Sequence, residues 1–242
     1  MAEPKLLLKN ILFIDIETVS LEAEFSLLPE RLQALWEKKA AKLKNEDELS
    51  PAEMFFARAA IYAEFGKVLC IGVGGFFDNQ KGEQIFKVKT LRADSEKELL
   101  LMFKNTLENH TAKQKLTLCA HNGKEFDYPY LCRRMLINGI KLPEVLDISS
   151  KKPWEVFHLD TLEFWKFGDY KNFTSLDLLA AIFDIPSSKN NIDGSEVNKT
   201  YYLEKDEDKI AEYCREDVVV LAQLYLKLNG LEIIKSENIR RA

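Results

Sequence analysis

Ile11-Leu12-Phe13-Ile14-Asp15-Ile16-Glu17-Thr18 is the stretch on which the reading of this chain turns. It is apolar and β-branched except for its acids, the composition of a buried strand. Residues i and i+2 of a strand point to one face, so Asp15 and Glu17 project together. Two carboxylates crowded at a strand end are unfavourable unless a cation sits between them. Oxygen ligands on a hard divalent ion meet that need, and magnesium typically takes one or two carboxylates plus substrate phosphate. A D-x-E pattern alone is a weak signal, and Asp94-Ser95-Glu96 repeats it. That second copy opens a helix, where acids complement the positive end of the dipole, and reads as capping.

Outward from this strand, residues 21–65 change character. They are rich in Ala, Glu, Lys and Leu and contain Leu28-Pro29-Glu30 and Ser50-Pro51-Ala52-Glu53 as helix starts, which predicts a helical insertion after the first strand. Residues 67–77 and 83–91 predict strands joined by a hairpin turn at 78–82. The apolar spacing of 95–109 predicts an amphipathic helix. A fourth strand is expected over 115–120, a helix over 126–138, a short fifth strand near 156–159, a helix over 174–183 and the longest helix over 206–228. The order predicts a mixed α/β sheet covered by helices, one domain over residues 1–242.

Two further motifs carry carboxylates. In His121-Asn122-Gly123-Lys124-Glu125-Phe126-Asp127 a strand runs into a Gly-containing turn, which places Asp127 in the first turn of a helix. By itself Asp127 reads more readily as a dipole-favoured acid than as a ligand. In Tyr213-Cys214-Arg215-Glu216-Asp217 the spacing of four stacks phenol and carboxylate on one helix face. Asp217 precedes Val218-Val219-Val220-Leu221, so it borders the core-facing side, where a carboxylate needs a partner. Tyr202-Leu203-Glu204-Lys205-Asp206 repeats the spacing, but Asp206 stands at the helix start and reads as a cap.

In this order, D-x-E on a strand, N-x-x-x-F-D at a strand-to-helix turn and Y-x-x-x-D on a late helix, the chain resembles the DEDD exonuclease superfamily, and its tyrosine-bearing DEDDy subclass. It is similar to the proofreading exonuclease domains of family B DNA polymerases and to stand-alone bacterial proteins related to that domain. The resemblance runs from Phe13 through Phe65-Gly66-Lys67 and 119–131 to Asp217. It implies a ribonuclease H-like fold, a mixed five-stranded sheet flanked by helices. It implies a 3′→5′ exonuclease using two divalent metal ions, magnesium or manganese. Asp15, Glu17 and Asp217 would hold one ion, and Asp127 with Asp15 the other. Tyr213 would orient the attacking water, while Asn122 and Phe126 would contact the terminal nucleotide, with Thr18 beside the metal strand. Two ions about 3.5–4 Å apart can clamp both oxygens of an in-line displacement at phosphorus, which suits these residue types.

The implied partner is a nucleic-acid 3′ end, DNA more than RNA, single-stranded or frayed. A proofreading role would act in trans with a polymerase or in repair. An exoribonuclease is the alternative within enzymes, since ribonuclease D-like proteins share the constellation. A non-catalytic nucleic-acid-binding module is the alternative outside them, but it has no use for mutually repelling acids.

The remaining features narrow the class. A net charge of −5 over 242 residues argues against a protein that coats nucleic acid, though not against one that grips a chain end. No run approaches about 18 apolar residues, so no membrane span is expected. The N-terminus does not read as a signal peptide, and the expected location is cytoplasmic. The 4 cysteines are scattered without a C-x-x-C pair, and the 3 histidines lack zinc-ligand spacing. Gly72-Val73-Gly74-Gly75 lies within a strand and is no nucleotide fingerprint. Lysines 38, 39, 42, 44, 151 and 152 and Arg133 and Arg134 could track phosphates or be ordinary solvated charge. Trp36, Trp154 and Trp165 could stack on bases or fill core. Lys189 and the turn Asp193-Gly194-Ser195 precede the last helix and could border the site.

Overall fold

The computed structural model describes residues 8–111, 115–169, 171, 173–186 and 192–242. The elements run in the order β1 (Ile11–Ser20), α1 (Glu30–Ala40), α2 (Pro51–Arg58), β2 (Gly66–Asp78), β3 (Gln84–Leu91), α3 (Glu96–Thr111), β4 (Thr117–Ala120), α4 (Asp127–Ile137), β5 (Leu159–Asp160), α5 (Thr161–Lys166), α6 (Leu176–Ile182), α7 (Val197–Lys199), α8 (Glu207–Leu228) and β6 (Ile239–Arg241). Lys189 lies outside the described residues.

The strands form one mixed sheet ordered β5-β4-β1-β2-β3-β6, with β1 central. β1 pairs antiparallel with β2 and parallel with β4, and β2 and β3 form the expected hairpin. The sheet has six strands rather than the expected five. The extra strand is β6, which lies parallel to β3 at the edge. Its sequence, Ile239-Arg240-Arg241, has one apolar residue and no alternation to reveal a strand.

The alternation along β1 separates two cores. Leu12, Ile14 and Ile16 pack with residues of α3 and α4, including Leu99, Phe103 and Leu131. Ile11 and Phe13 face α8 and meet Val218, Leu221 and Tyr225. Phe13 makes edge-on ring contacts with Phe76, Phe86 and Tyr225 at centroid distances of 5.6, 5.8 and 5.5 Å. Each such pair adds about 0.5–1.5 kcal/mol beyond burial.

The helical insertion is built as expected around its own core. Trp36 is fully buried among Phe55, Phe65 and Met54, and its Nε1–H donates to the Pro51 carbonyl at 2.7 Å. It is therefore a core residue and not a base-stacking surface. Ser50 and Glu53 form a reciprocal capping box at the start of α2.

Glu96 also departs from expectation. It does begin α3, but its carboxylate is held by Arg134 at 2.8 and 2.5 Å, by Asn138 at 2.9 Å and by the Val68 N–H at 2.8 Å. Arg134 is 5% exposed and gives its remaining donor to the Ala63 carbonyl, so it is no phosphate contact. This buried pair ties α4 to α3 and to the end of the insertion. No described helix is long and apolar enough to cross a membrane.

Candidate active site

Asp15 and Glu17 have the odd-numbered parity of Phe13 in β1, and they lie on the α8 side of the sheet. The register with β2 shifts between Glu17, opposite Cys70, and Thr18, opposite Val68, which leaves Leu69 as the extra residue of a bulge. Bulges bend a strand and re-aim its side chains. Just beyond, the end of β1 is clamped. The Asn198 carboxamide accepts from Ser20 N–H at 2.9 Å and from Ser20 Oγ at 3.0 Å, and donates to the Phe56 carbonyl at 2.8 Å. Tyr202 Oη donates to the Ser20 carbonyl at 2.7 Å. The acids thus sit on a strand whose far end is fixed at Ser20, as a rigidly held metal ligand requires.

α8 supplies the third wall. Asp206 caps it, accepting from Lys209 N–H at 3.0 Å, so the earlier Tyr-x-x-x-Asp match is structural. Tyr213 and Asp217, one turn apart, face the β1 acids, and the phenol donates its hydrogen to the Asp217 carboxylate. The helix comes close because β2 carries Gly72 beneath it. A Cβ there would stand 2.7 Å from Val218 Cγ2 and 2.9 Å from the Cys214 carbonyl, well inside contact distance.

The fourth acid comes from the turn after β4. Asn122 takes positive φ (60°), a conformation that asparagine tolerates, and its carbonyl receives the Phe126 N–H at 3.0 Å. The turn is fastened by Asp160, at the end of β5. This carboxylate accepts N–H bonds from Asn122, Lys124 and Leu162 at 2.9, 3.0 and 3.0 Å and is 2% exposed. His121 adds a second tie, with Nδ1 on Thr161 Oγ1 at 2.9 Å and Nε2 on the Thr174 carbonyl at 2.8 Å. A carbonyl only accepts, so Nε2 carries the proton. Burial holds this imidazole below its ordinary pKa, in keeping with the neutral form. Asp127 then opens α4 at 4% exposure, its carboxylate receiving its own N–H and that of Ile16.

Asp15 and Glu17 are perturbed by the acids around them. Burial, then the charges of Asp217 and Asp127, push Asp15 well above the usual carboxylate range. Burial, then the Asp15 charge, does the same to Glu17. Burial raises Asp127 to about 7. Tyr213 is driven far above the usual phenol value by burial, then by Asp217, Glu17 and Asp15. Although Asp15 as a residue is only half-buried, its Oδ2 is sealed from solvent without a hydrogen-bond partner, the one such atom among the described residues. Glu17 is 7% exposed, and no described residue donates a hydrogen bond to its carboxylate. A buried carboxylate oxygen without a donor is what a divalent cation would satisfy, and the donor set is hard oxygen.

Of the substrate-contact residues, Asn122 and Phe126 flank Asp127 and are both half-buried. The Phe126 ring packs on Tyr130 at 5.3 Å. Thr18 does adjoin the metal strand, but its hydroxyl is bonded to the Tyr130 phenol on the α4 side, away from the acids. Sequence reasoning missed Asp160, whose signal was an N-cap before Thr161-Leu162, and Cys214, which lies among the acids with no spacing to announce it.

The fold is similar to that of the family B DNA polymerase from the hyperthermophilic archaeon Pyrobaculum calidifontis, with a TM-score of 0.52 and 16% identity. That likeness covers 90% of this chain and 24% of the polymerase, so the chain spans about a quarter of its length. No curated protein matches the sequence. Asp15 and Glu17 precede the segment matched at the level of family, whereas Asp127, Tyr213 and Asp217 lie within it. Residues 62–237 match the family described as "Predicted 3'-5' exonuclease related to the exonuclease domain of PolB", and the chain belongs to that family.

Proposed function

We propose that the protein removes nucleotides one at a time from the 3′ end of DNA, single-stranded or frayed, in a reaction that depends on two divalent ions, magnesium or manganese. The observation that carries this reading is the convergence of Asp15, Glu17, Asp127 and Asp217 from three separate segments, with Asp15 Oδ2 buried and unpartnered. Asp15, Glu17 and Asp217 would hold one ion, and Asp127 with Asp15 the other. When bound, such ions activate water and stabilise the charge on a leaving oxygen.

The chain's own residues account for the rest. Burial and the neighbouring carboxylates hold the Tyr213 phenol far above its usual pKa, which favours a positioning role over that of a base. It can orient water while its hydrogen remains on Asp217. The turn held by Asp160 would present Asn122 to the terminal nucleotide, and the Phe126 ring would border that nucleotide's sugar or base. Thr18 would act through its backbone, since its hydroxyl is engaged with Tyr130. A polymerase or repair enzyme working in trans is the proposed source of the 3′ end.

The test is hydrolysis of matched 5′-labelled single-stranded DNA and RNA with manganese or magnesium. DNA shortening faster than RNA supports the reading. Preferential RNA shortening would replace it with an exoribonuclease, and binding of either strand without hydrolysis would leave a binding module.

A further inference from the structure

Cys214 is the residue between Tyr213 and Asp217 that faces the sheet, and it is fully buried. Its Sγ receives the Gly72 N–H at 3.1 Å, and its thiol is directed at the Asp15 carbonyl at 3.5 Å. The sulfur, one carboxylate oxygen of Asp15 and one of Glu17 lie within 4.8 Å of one another. Gly72 makes this possible, because a Cβ at that position would stand 3.1 Å from the sulfur. One observation independent of the thiol marks the spot as unsatisfied: Asp15 Oδ2 is buried without a hydrogen-bond partner, the one such atom among the described residues.

We propose that Cys214, Asp15 and Glu17 form a site for a thiophilic divalent ion, zinc or cadmium, in which the sulfur is a direct ligand. The inference rests on the reading of Asp15 and Glu17 as metal ligands and adds a donor that an oxygen-only site lacks. Magnesium ignores sulfur, whereas zinc and cadmium favour it. Zinc–sulfur and zinc–oxygen bonds of about 2.3 and 2.0–2.2 Å put two ligands of a tetrahedral ion roughly 3.5 Å apart. As the metal–sulfur bond forms, the thiol proton leaves to solvent; no electron is transferred. The Gly72 N–H remains as a donor to the thiolate. A nuclease built this way would take up a soft ion at the seat of its working metal and exchange it only slowly for magnesium.

The experiment uses the full chain stripped of metal with EDTA and dialysed. Cadmium chloride is titrated in while the sulfur-to-cadmium charge-transfer band is recorded in the ultraviolet. Manganese binding is measured separately by calorimetry. The wild type and Cys70→Ser should develop the band, and Cys214→Ser should lose it with at least a tenfold loss of cadmium affinity. A band that persists in folded Cys214→Ser, or that depends on Cys70 instead, overturns the proposal. Manganese binding without any cadmium band overturns it and leaves the oxygen-ligand reading intact; binding of neither ion overturns both. Should Cys214→Ser misfold, zinc X-ray absorption on the wild type decides alone. A sulfur neighbour at about 2.3 Å supports the site, and an oxygen and nitrogen shell without sulfur contradicts it.

Discussion

Replacing Asp127 by Asn should stabilise the metal-free protein, and should do so only above a certain pH. The carboxylate is 4% exposed and raised from 3.8 to about 7, chiefly by burial. A carboxyl whose folded pKa lies above its unfolded one binds its proton more tightly when folded. Stability is then greatest below the unfolded value and falls as pH rises towards the folded one. That window runs from about pH 4 to about pH 7. A rise of this size corresponds to about 4 kcal/mol at 1.36 kcal/mol per pH unit. Asn keeps the shape and an acceptor for the Ile16 and Asp127 N–H groups but carries no charge to desolvate. In EDTA, Asp127→Asn should therefore exceed the wild type by up to about 4 kcal/mol at pH 8, or roughly 8–16 °C in Tm for a chain of this size. Near pH 4 the two should coincide. Saturating manganese should reverse the order, since only the wild type retains the ligand. Urea unfolding of both proteins, at several pH values with and without manganese, measures this directly. A variant less stable than the wild type by the same margin at every pH would refute the claim that the buried charge is unpaid for without metal.

Other substitutions separate ligands from supports. Asp217→Ala should remove nearly all turnover, while Tyr213→Phe should lower it more mildly; steady-state kinetics on folded protein compares them. Asp206→Ala should reduce stability by about 1 kcal/mol through loss of the helix cap, with turnover per folded molecule unchanged. Arg134→Ala strands the Glu96 carboxylate in a buried setting and should cost about 3–5 kcal/mol in chemical denaturation.

How far the sequence disclosed this arrangement depended on the range of the interactions involved. Asp15 and Glu17 were legible because strand periodicity alone puts them on one face. Tyr213 and Asp217 were legible because a helix start distinguished them from Tyr202 and Asp206. Asp160 could show only as a cap on Leu162, because the turn N–H groups it also holds lie 36 and 38 residues away in the chain. Glu96 was read from its local position as a dipole acid, whereas its partner Arg134 is 38 residues distant. β6 escaped notice because its pairing with β3 is set by the sheet edge and by Arg241, which grips Glu216 at 2.6 and 2.7 Å. Strand alternation already puts the side chain of Thr18 on the face opposite Asp15 and Glu17, whereas its partner there, Tyr130, is too distant in the chain to be read from spacing.

The most direct test of the central claim is a time course on a 5′-labelled single-stranded DNA, run with manganese, with EDTA, and with EDTA followed by excess manganese. The account predicts a ladder of products shortening from the 3′ end with manganese, none in chelator, and recovery on adding the ion back. It also predicts no ladder for Asp15→Asn in manganese. Undiminished hydrolysis in EDTA, or internal cuts in a circular single strand, would contradict it.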